Sequence, residues 1–335
     1  MGGSIVIKKF LKNRILSATG IPVDWIKYYY NQAKRFYNNS SASLNEDNIE
    51  WIITKIKVLT HELDKGLHMP EPRKGFGREK AKTLVLYLKK YLNFKNFDYE
   101  YDAYLDAVEV LQKYCASAEQ YDLDISFINL NDFVVDYTKV HNRLDQTGNY
   151  YYDENIQNFN FKNFALSRHS IRFFKDEYKV SQADFEKAVE IARMSPSACN
   201  RQSARVMLLN DKELANKILE IQGGAKGFKN ANNCILVMAD LNSYWYDGEM
   251  NTAFIDAGIF TMNLIYSLKY YGIDSCPLIW DDNTYRRSSL DEVLDISPNY
   301  FIICVLAVGE ADTNAKTLFS PRKDTNNIIL NVRRK

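Results

Sequence analysis

Three short apolar runs constrain the fold more than any other feature of the chain: "ARVMLLN" at 204–210, "CILVMAD" at 234–240 and "NYFIICVLAVG" at 299–309. Continuous apolar runs of this length read as strands buried in a sheet. Helical patterns separate them. "SQADFEKAVEIARMS" opens on Ser181 and sets Phe185, Ala188, Val189 and Ala192 on one side; "KELANKILEIQ" follows the first strand. "NTAFIDAGIFTMNLIYSLKYYG" (251–272) is apolar nearly all round and stops at Gly272. A helix of that kind is buried centrally or at a subunit interface. Strands interleaved with helices make this half α/β or α+β.

The first ~160 residues read as helical instead. "SLNE" at 43–46 has the form of a capping box. Ile49, Ile52, Ile53, Ile56 and Leu59 then recur at helical spacing. A break at "GLHMPEPRKGFG" (66–77) precedes a helix from about Arg78 to Tyr91, with Leu84, Leu88 and Leu92 on one face. Another helix is expected from about Asp98 to Gln120, and residues 145–163 read as a connector. A chain of 335 residues suggests two units. The reading is a helical region over 1–160 and an α+β region over 161–335.

A formal net charge of +1 gives no global field towards nucleic acid or membranes. No run reaches the ~18 apolar residues of a membrane span. The basic start, with Lys8, Lys9, Lys12 and Arg14, lacks the apolar core of a secretory signal. Five cysteines, none spaced as CxxC, read as reduced thiols, so a cytoplasmic protein is expected. His61 and His68 are not four residues apart, which excludes the helical zinc-protease motif. No metal site is expected. "GFGREK" (75–80) lacks both the third glycine of a dinucleotide loop and the Gly-Lys-Ser/Thr of a phosphate loop. Arg73, Lys74, Arg78 and Lys80 offer it charge for an anionic ligand. Cys199 and His169 are a nucleophile and base only by composition; nothing in the sequence brings them together.

Two polar stretches remain. In "SRHSIRFF" (167–174), an extended chain would put Arg168, Ser170 and Arg172 on one face and His169 on the other. Three such donors suit a phosphate and adjacent oxygens. "SPSACNRQ" (195–202) gathers Pro196, Ser197, Cys199 and Asn200 at a helix end. Taken in order with the Asp-x-Gly…Asn…Gly helix and "SPRKDTNN", these stretches resemble the nitroreductase family of flavin enzymes over about 165–335.

The resemblance implies an α+β sandwich with a mixed central sheet flanked by helices. It implies a homodimer with FMN at the interface, NADH or NADPH as hydride donor and a flat or conjugated acceptor. It carries no catalytic side chain, because the chemistry is the cofactor's. Arg168, His169 and Ser170 fall in the cofactor-binding stretch, Arg168 and Ser170 towards the phosphate and ribityl chain. Arg172 faces the flavin edge where negative charge builds on reduction. Pro196, Ser197 and Asn200 line the ring from the partner subunit, Pro277, Leu278, Ile279 and Trp280 lie along it, and Arg322 with Lys323 completes the phosphate clamp. The alternative is a protein that stores, senses or breaks down flavin without reductase turnover. One departure stands out: Gln202 continues with Ser203-Ala204-Arg205, where the family often has Pro-Trp. The segment 66–80 is expected to cover the flavin cleft.

Overall fold

The structure is a computed structural model that describes residues 23–67, 75–99, 101–120, 124–133, 159–281, 284–312 and 325–332. The basic start, His68, Arg73, Lys74, most of the 145–163 connector, Arg322 and Lys323 lie outside these residues.

The N-terminal part is helical: α1 (Val23–Asn39), α2 (Ile49–Leu67), α3 (Arg78–Leu92) and α4 (Asp102–Gln120). The isoleucine stripe does what its period predicts. Ile52 and Ile56 of α2 bury against Leu84 and Leu88 of α3 and Leu111 of α4 in one apolar cluster. Two boundaries differ from the sequence reading. Ser43 does not cap α2; it lies in a separate 3-10 turn, Ser41–Ser43. Asn45 and Asn48 each accept a backbone N–H two residues on (3.1 and 2.9 Å), and these two side-chain turns delay the helix to Ile49. Similarly, the Tyr91 hydroxyl accepts from Asp98 N (2.9 Å) and donates to Asp98 O (3.1 Å), which pins residue 98 outside α4.

The helical layer is fastened to the rest. Phe36 of α1 buries with Ala239, Tyr244 and Phe301, and Arg35 lies 4.6 Å from the Phe301 ring. Thr54 donates to Asn242 O at 2.8 Å, and Lys55 sits 4.4 Å from the Trp245 ring.

After the short helix α5 (Phe161–Leu166) come α6 (Gln182–Ala192), β1 (Ala204–Leu209), α7 (Lys212–Gln222) and β2 (Asn233–Asp240). Then follow α8 (Thr252–Tyr270), β3 (Asp274–Ile279), α9 (Thr284–Asp291) and β4 (Tyr300–Gly309). The strands form one sheet in the order β1-β2-β4-β3. Strand alternation builds two cores from β2. Cys234, Leu236 and Met238 pack with Ile218 and Leu219 of α7; Ile235 and Val237 pack with Phe185 of α6 and Leu264 of α8. The sheet is therefore covered on both faces.

The α+β class expected from the sequence is the class observed. The four named strands pair antiparallel throughout, because β4 returns between the two strands β2 and β3 that run alike. Among the described residues, parallel pairing is confined to the isolated Phe173–Lys229 bridge, so the sheet is less mixed than expected. Pro277 is tolerated within β3 because β3 is an edge strand. At the end of β4, Gly309 admits Phe174: a Cβ there would stand 2.8 Å from the Phe174 ring. Gly309→Ala is expected to destabilise by about 1–3 kcal/mol through overpacking, read by thermal denaturation.

Candidate functional site

The first polar stretch is held beside β3. Ile171 is buried and its N–H donates to Ser275 O at 3.0 Å, while Lys229 N donates to Arg172 O at 3.0 Å. That docking leaves Arg168, Ser170 and Arg172 half-buried and His169 exposed, the division expected of an extended stretch. All three act on Cys276 of β3. Burial pushes the Cys276 thiol up, while Arg172, a hydrogen bond with the Ser170 hydroxyl, and Arg168 pull it back. Two guanidiniums and a hydroxyl thus share one small region at the start of β3.

Strand alternation divides the next four residues. Leu278 and Trp280 are buried in the core with Cys276. Pro277 and Ile279 are exposed, Ile279 to 83%, and present an apolar strip. Side-chain access to a ligand from this segment therefore belongs to Pro277 and Ile279; Leu278 and Trp280 bring only backbone.

The second stretch forms a strained turn. Cys199, Asn200 and Gln202 have φ of 51°, 51° and 52°, left-handed backbone that non-glycine residues adopt at a cost. The surroundings hold it. Asp256 of α8 accepts Ala198 N at 3.0 Å and the Tyr244 hydroxyl at 3.1 Å. Tyr244 also bonds the Ser203 hydroxyl at 2.6 Å. Gln202 N donates to the Ser197 hydroxyl at 3.0 Å, and Asn263 Nδ2 donates to the Ser195 hydroxyl at 3.1 Å. Asp256 and Asn263 are the Asp and Asn of the helix motif, here working as scaffold. Pro196 and Asn200 are left exposed. After Gln202, Ser203 is fully buried and bonds Tyr244, and Arg205 pairs with Asp240 at 3.2 Å.

Sequence reasoning missed the anchor of this turn. Arg201, 1% exposed, pairs with Glu249 at 2.7 Å, donates to Ala198 O at 2.9 Å, and lies 4.9 and 4.8 Å from the Tyr244 and Trp245 rings. Glu249 Oε2 in turn accepts Trp245 N at 3.0 Å. Neither charge has a periodic or motif signal.

The basic segment near residue 78 is engaged elsewhere. Arg78 pairs with Asp124 at 2.7 Å and Lys80 with Glu62 at 3.0 Å, both within the helical layer. Lys226 lines a separate cavity beside α7, with Asn230 and Asn232. Among the described residues, the five cysteines are free and no His/Cys/Asp/Glu group could hold a metal ion. Burial pushes the Cys234 thiol up to about 12 and the Cys304 thiol up to about 11, the latter eased by a hydrogen bond with Thr261. Iodoacetamide at about pH 8 is expected to leave both unmodified in the native protein and to modify them once it is unfolded, read by mass spectrometry.

The two stretches stand at opposite corners of the sheet. β1 starts at Ala204, paired through Ala239 with Phe301, whereas Ser275 of β3 pairs with Val308. Strand spacings of about 4.8 Å and rises of about 3.3 Å per residue put Ala204 and Ser275 roughly 25–30 Å apart. That is more than one extended FMN molecule spans.

An antiparallel sheet between helices, with a cationic stretch at one corner and a strained polar turn at the other, defines a layered α+β protein. The model of the nitroreductase family matches residues 165–225 and 222–310. A protein of Archaeoglobus fulgidus whose name includes "NADH dehydrogenase/NAD(P)H nitroreductase" is 30% identical over 145 residues, 43% of this chain and 80% of its own. The FMN reductase [NAD(P)H] of Bacillus subtilis is 27% identical over 181 residues, 48% of this chain and 71% of its own. A solved FMN-dependent nitroreductase from Clostridium difficile R20291 is 22% identical with a TM-score of 0.42, covering 50% of this chain and 97% of that one. The chain belongs to the nitroreductase family.

Proposed function

We propose that the protein is an FMN-dependent oxidoreductase that uses NADH or NADPH and acts on a small, flat or conjugated acceptor. The observation that carries this reading is the grouping of Arg168, Ser170 and Arg172 around Cys276 of the edge strand β3, which also exposes Pro277 and Ile279. Two guanidiniums and a hydroxyl fit a phosphate and its neighbouring oxygens, and the strip fits a flat ring. His169 lies exposed in the same stretch, and Arg322 with Lys323 is proposed to add to the clamp. Bound FMN would supply the hydride chemistry itself. Arg172 would place positive charge at the ring edge, and Asn200, Pro196 and Ser197 would hold the ring's far side. No side-chain acid or base is required.

The corner geometry supports a homodimer. If both stretches serve one flavin, they come from two copies. The outer face of α8 exposes Phe254, Ile255, Ile259, Met262 and Tyr270, an apolar face suited to a second copy. Residues 161–335 are the flavin-binding unit of this proposal, and 1–160 an accessory layer on it. Free thiols fit a reducing compartment, the cytoplasm. Among the described residues no helix is long and apolar enough to cross a membrane.

Mixing tests the two-copy site. Arg172→Ala and Asn200→Ala variants, each expected to bind FMN poorly, are dissociated and reassociated together. Exchange leaves roughly a quarter of the sites intact, because each mixed dimer has one unmutated site. FMN released by denaturation should recover accordingly; no recovery after verified exchange contradicts the shared site.

A further inference from the structure

A cavity of about 510 Å³ lies where the helical layer meets the strained turn. That is within the size of small-molecule sites, about 300–1,000 Å³. α2 contributes Thr60 and His61, α4 contributes Asp102 and Asp106, and the turn contributes Asn200 and Arg201. Two polar atoms there are buried without a hydrogen-bond partner, Arg201 Nη1 and Thr60 Oγ1, on residues 1% and 7% exposed. Buried polar atoms are nearly always bonded, and these two, on residues that line the cavity, are the groups a small side-chain shift would bring onto a ligand oxygen.

The charges decide what kind of oxygen. Arg201 is already neutralised by Glu249 at 2.7 Å, Arg205 by Asp240 at 3.2 Å and Arg193 by Glu190 at 3.5 Å. Burial, and then Arg205, hold the Lys57 ammonium below its usual range. Asp64, Asp102 and Asp106 line the same cavity. Three arginines matched elsewhere and three carboxylates on the wall disfavour an anion. They favour an uncharged molecule with an accepting oxygen at one end and N–H or O–H donors at the other.

We propose that this cavity holds the acceptor, and that it selects small uncharged molecules whose carbonyl- or nitro-type oxygen bonds Arg201 Nη1 and Thr60 Oγ1. The helical layer is then a specificity wall through α2 and α4, not through residues 75–80, whose Arg78 and Lys80 are paired within that layer. The inference rests on the reductase reading only for the ligand's fate.

Calorimetric titration of the full-length protein, as purified, with 4-nitrobenzamide and 4-nitrobenzoate tests it, since the two differ little except in charge. The amide is expected to bind at least about tenfold tighter. Thr60→Val, equal in volume, is expected to weaken the amide about fivefold to tenfold and the benzoate by a similar factor, since both carry the nitro group. Asp102→Asn, at an exposed position, is expected to narrow the gap by strengthening the benzoate. Benzoate binding as tight as amide, or Thr60→Val leaving amide binding unchanged, overturns the proposal. Amide binding in a protein that never oxidises NAD(P)H contradicts the reductase reading and leaves this site standing. Turnover of the apolar quinone menadione without any amide binding contradicts this site alone.

Discussion

Replacing Glu249 with Ala is expected to destabilise the protein by about 3–5 kcal/mol, because it leaves the Arg201 guanidinium buried and unmatched. The surrounding bonds cannot make up the loss. Arg201 retains Ala198 O and two aromatic rings, which offer partial charge but no counter-ion. The effect should extend beyond stability. Arg201 holds the turn in which Cys199, Asn200 and Gln202 keep left-handed backbone, so its release lets Asn200 relax. Glu249→Gln keeps an acceptor and should cost less than Glu249→Ala. Denaturant unfolding with FMN quantification reads both effects. A loss under about 1 kcal/mol with full FMN content would show that the pair is not the anchor of the turn.

The second large effect falls on the opposite corner. Arg168→Ala and Arg172→Ala are each expected to weaken FMN binding about tenfold to a hundredfold, the worth of a charge-assisted hydrogen bond to phosphate or flavin oxygen. Stability of the flavin-free protein should barely change, because both side chains are half-buried and the docking of this stretch uses Ile171 and backbone bonds. Ser170→Ala should have a smaller effect of the same sign. Equal flavin content in all three variants would remove the phosphate role from this stretch.

These two sites differ in how far the sequence discloses them. The strands over 204–209, 233–240 and 300–309 and the helix over 212–222 follow from apolar pattern alone, and Ser181 caps its helix through Asp184 N as its position suggests. The cationic stretch is legible because its donors alternate along one short extended segment. The turn at 195–202 is legible as polar, but not as strained, since its left-handed residues are none of them glycine. Its anchor is less legible still, because Arg201 meets Glu249 across 48 positions without any repeating pattern. Sheet order is the other hidden fact. Nothing local says that the two polar stretches fall at opposite corners, the separation on which the proposed two-copy site rests. The helical layer shows the same limit: Ile52 and Ile56 announce a core, but not that the opposite side of α2 faces the turn.

The most direct measurement is the absorbance of the purified protein under anaerobic conditions, before and after NADH or NADPH. The reductase reading requires a yellow protein that releases FMN on denaturation, bleaches with at least one of the two donors, and regains its colour when 4-nitrobenzamide or menadione is added. A protein without FMN, or one that stays yellow in excess of both donors, would contradict it.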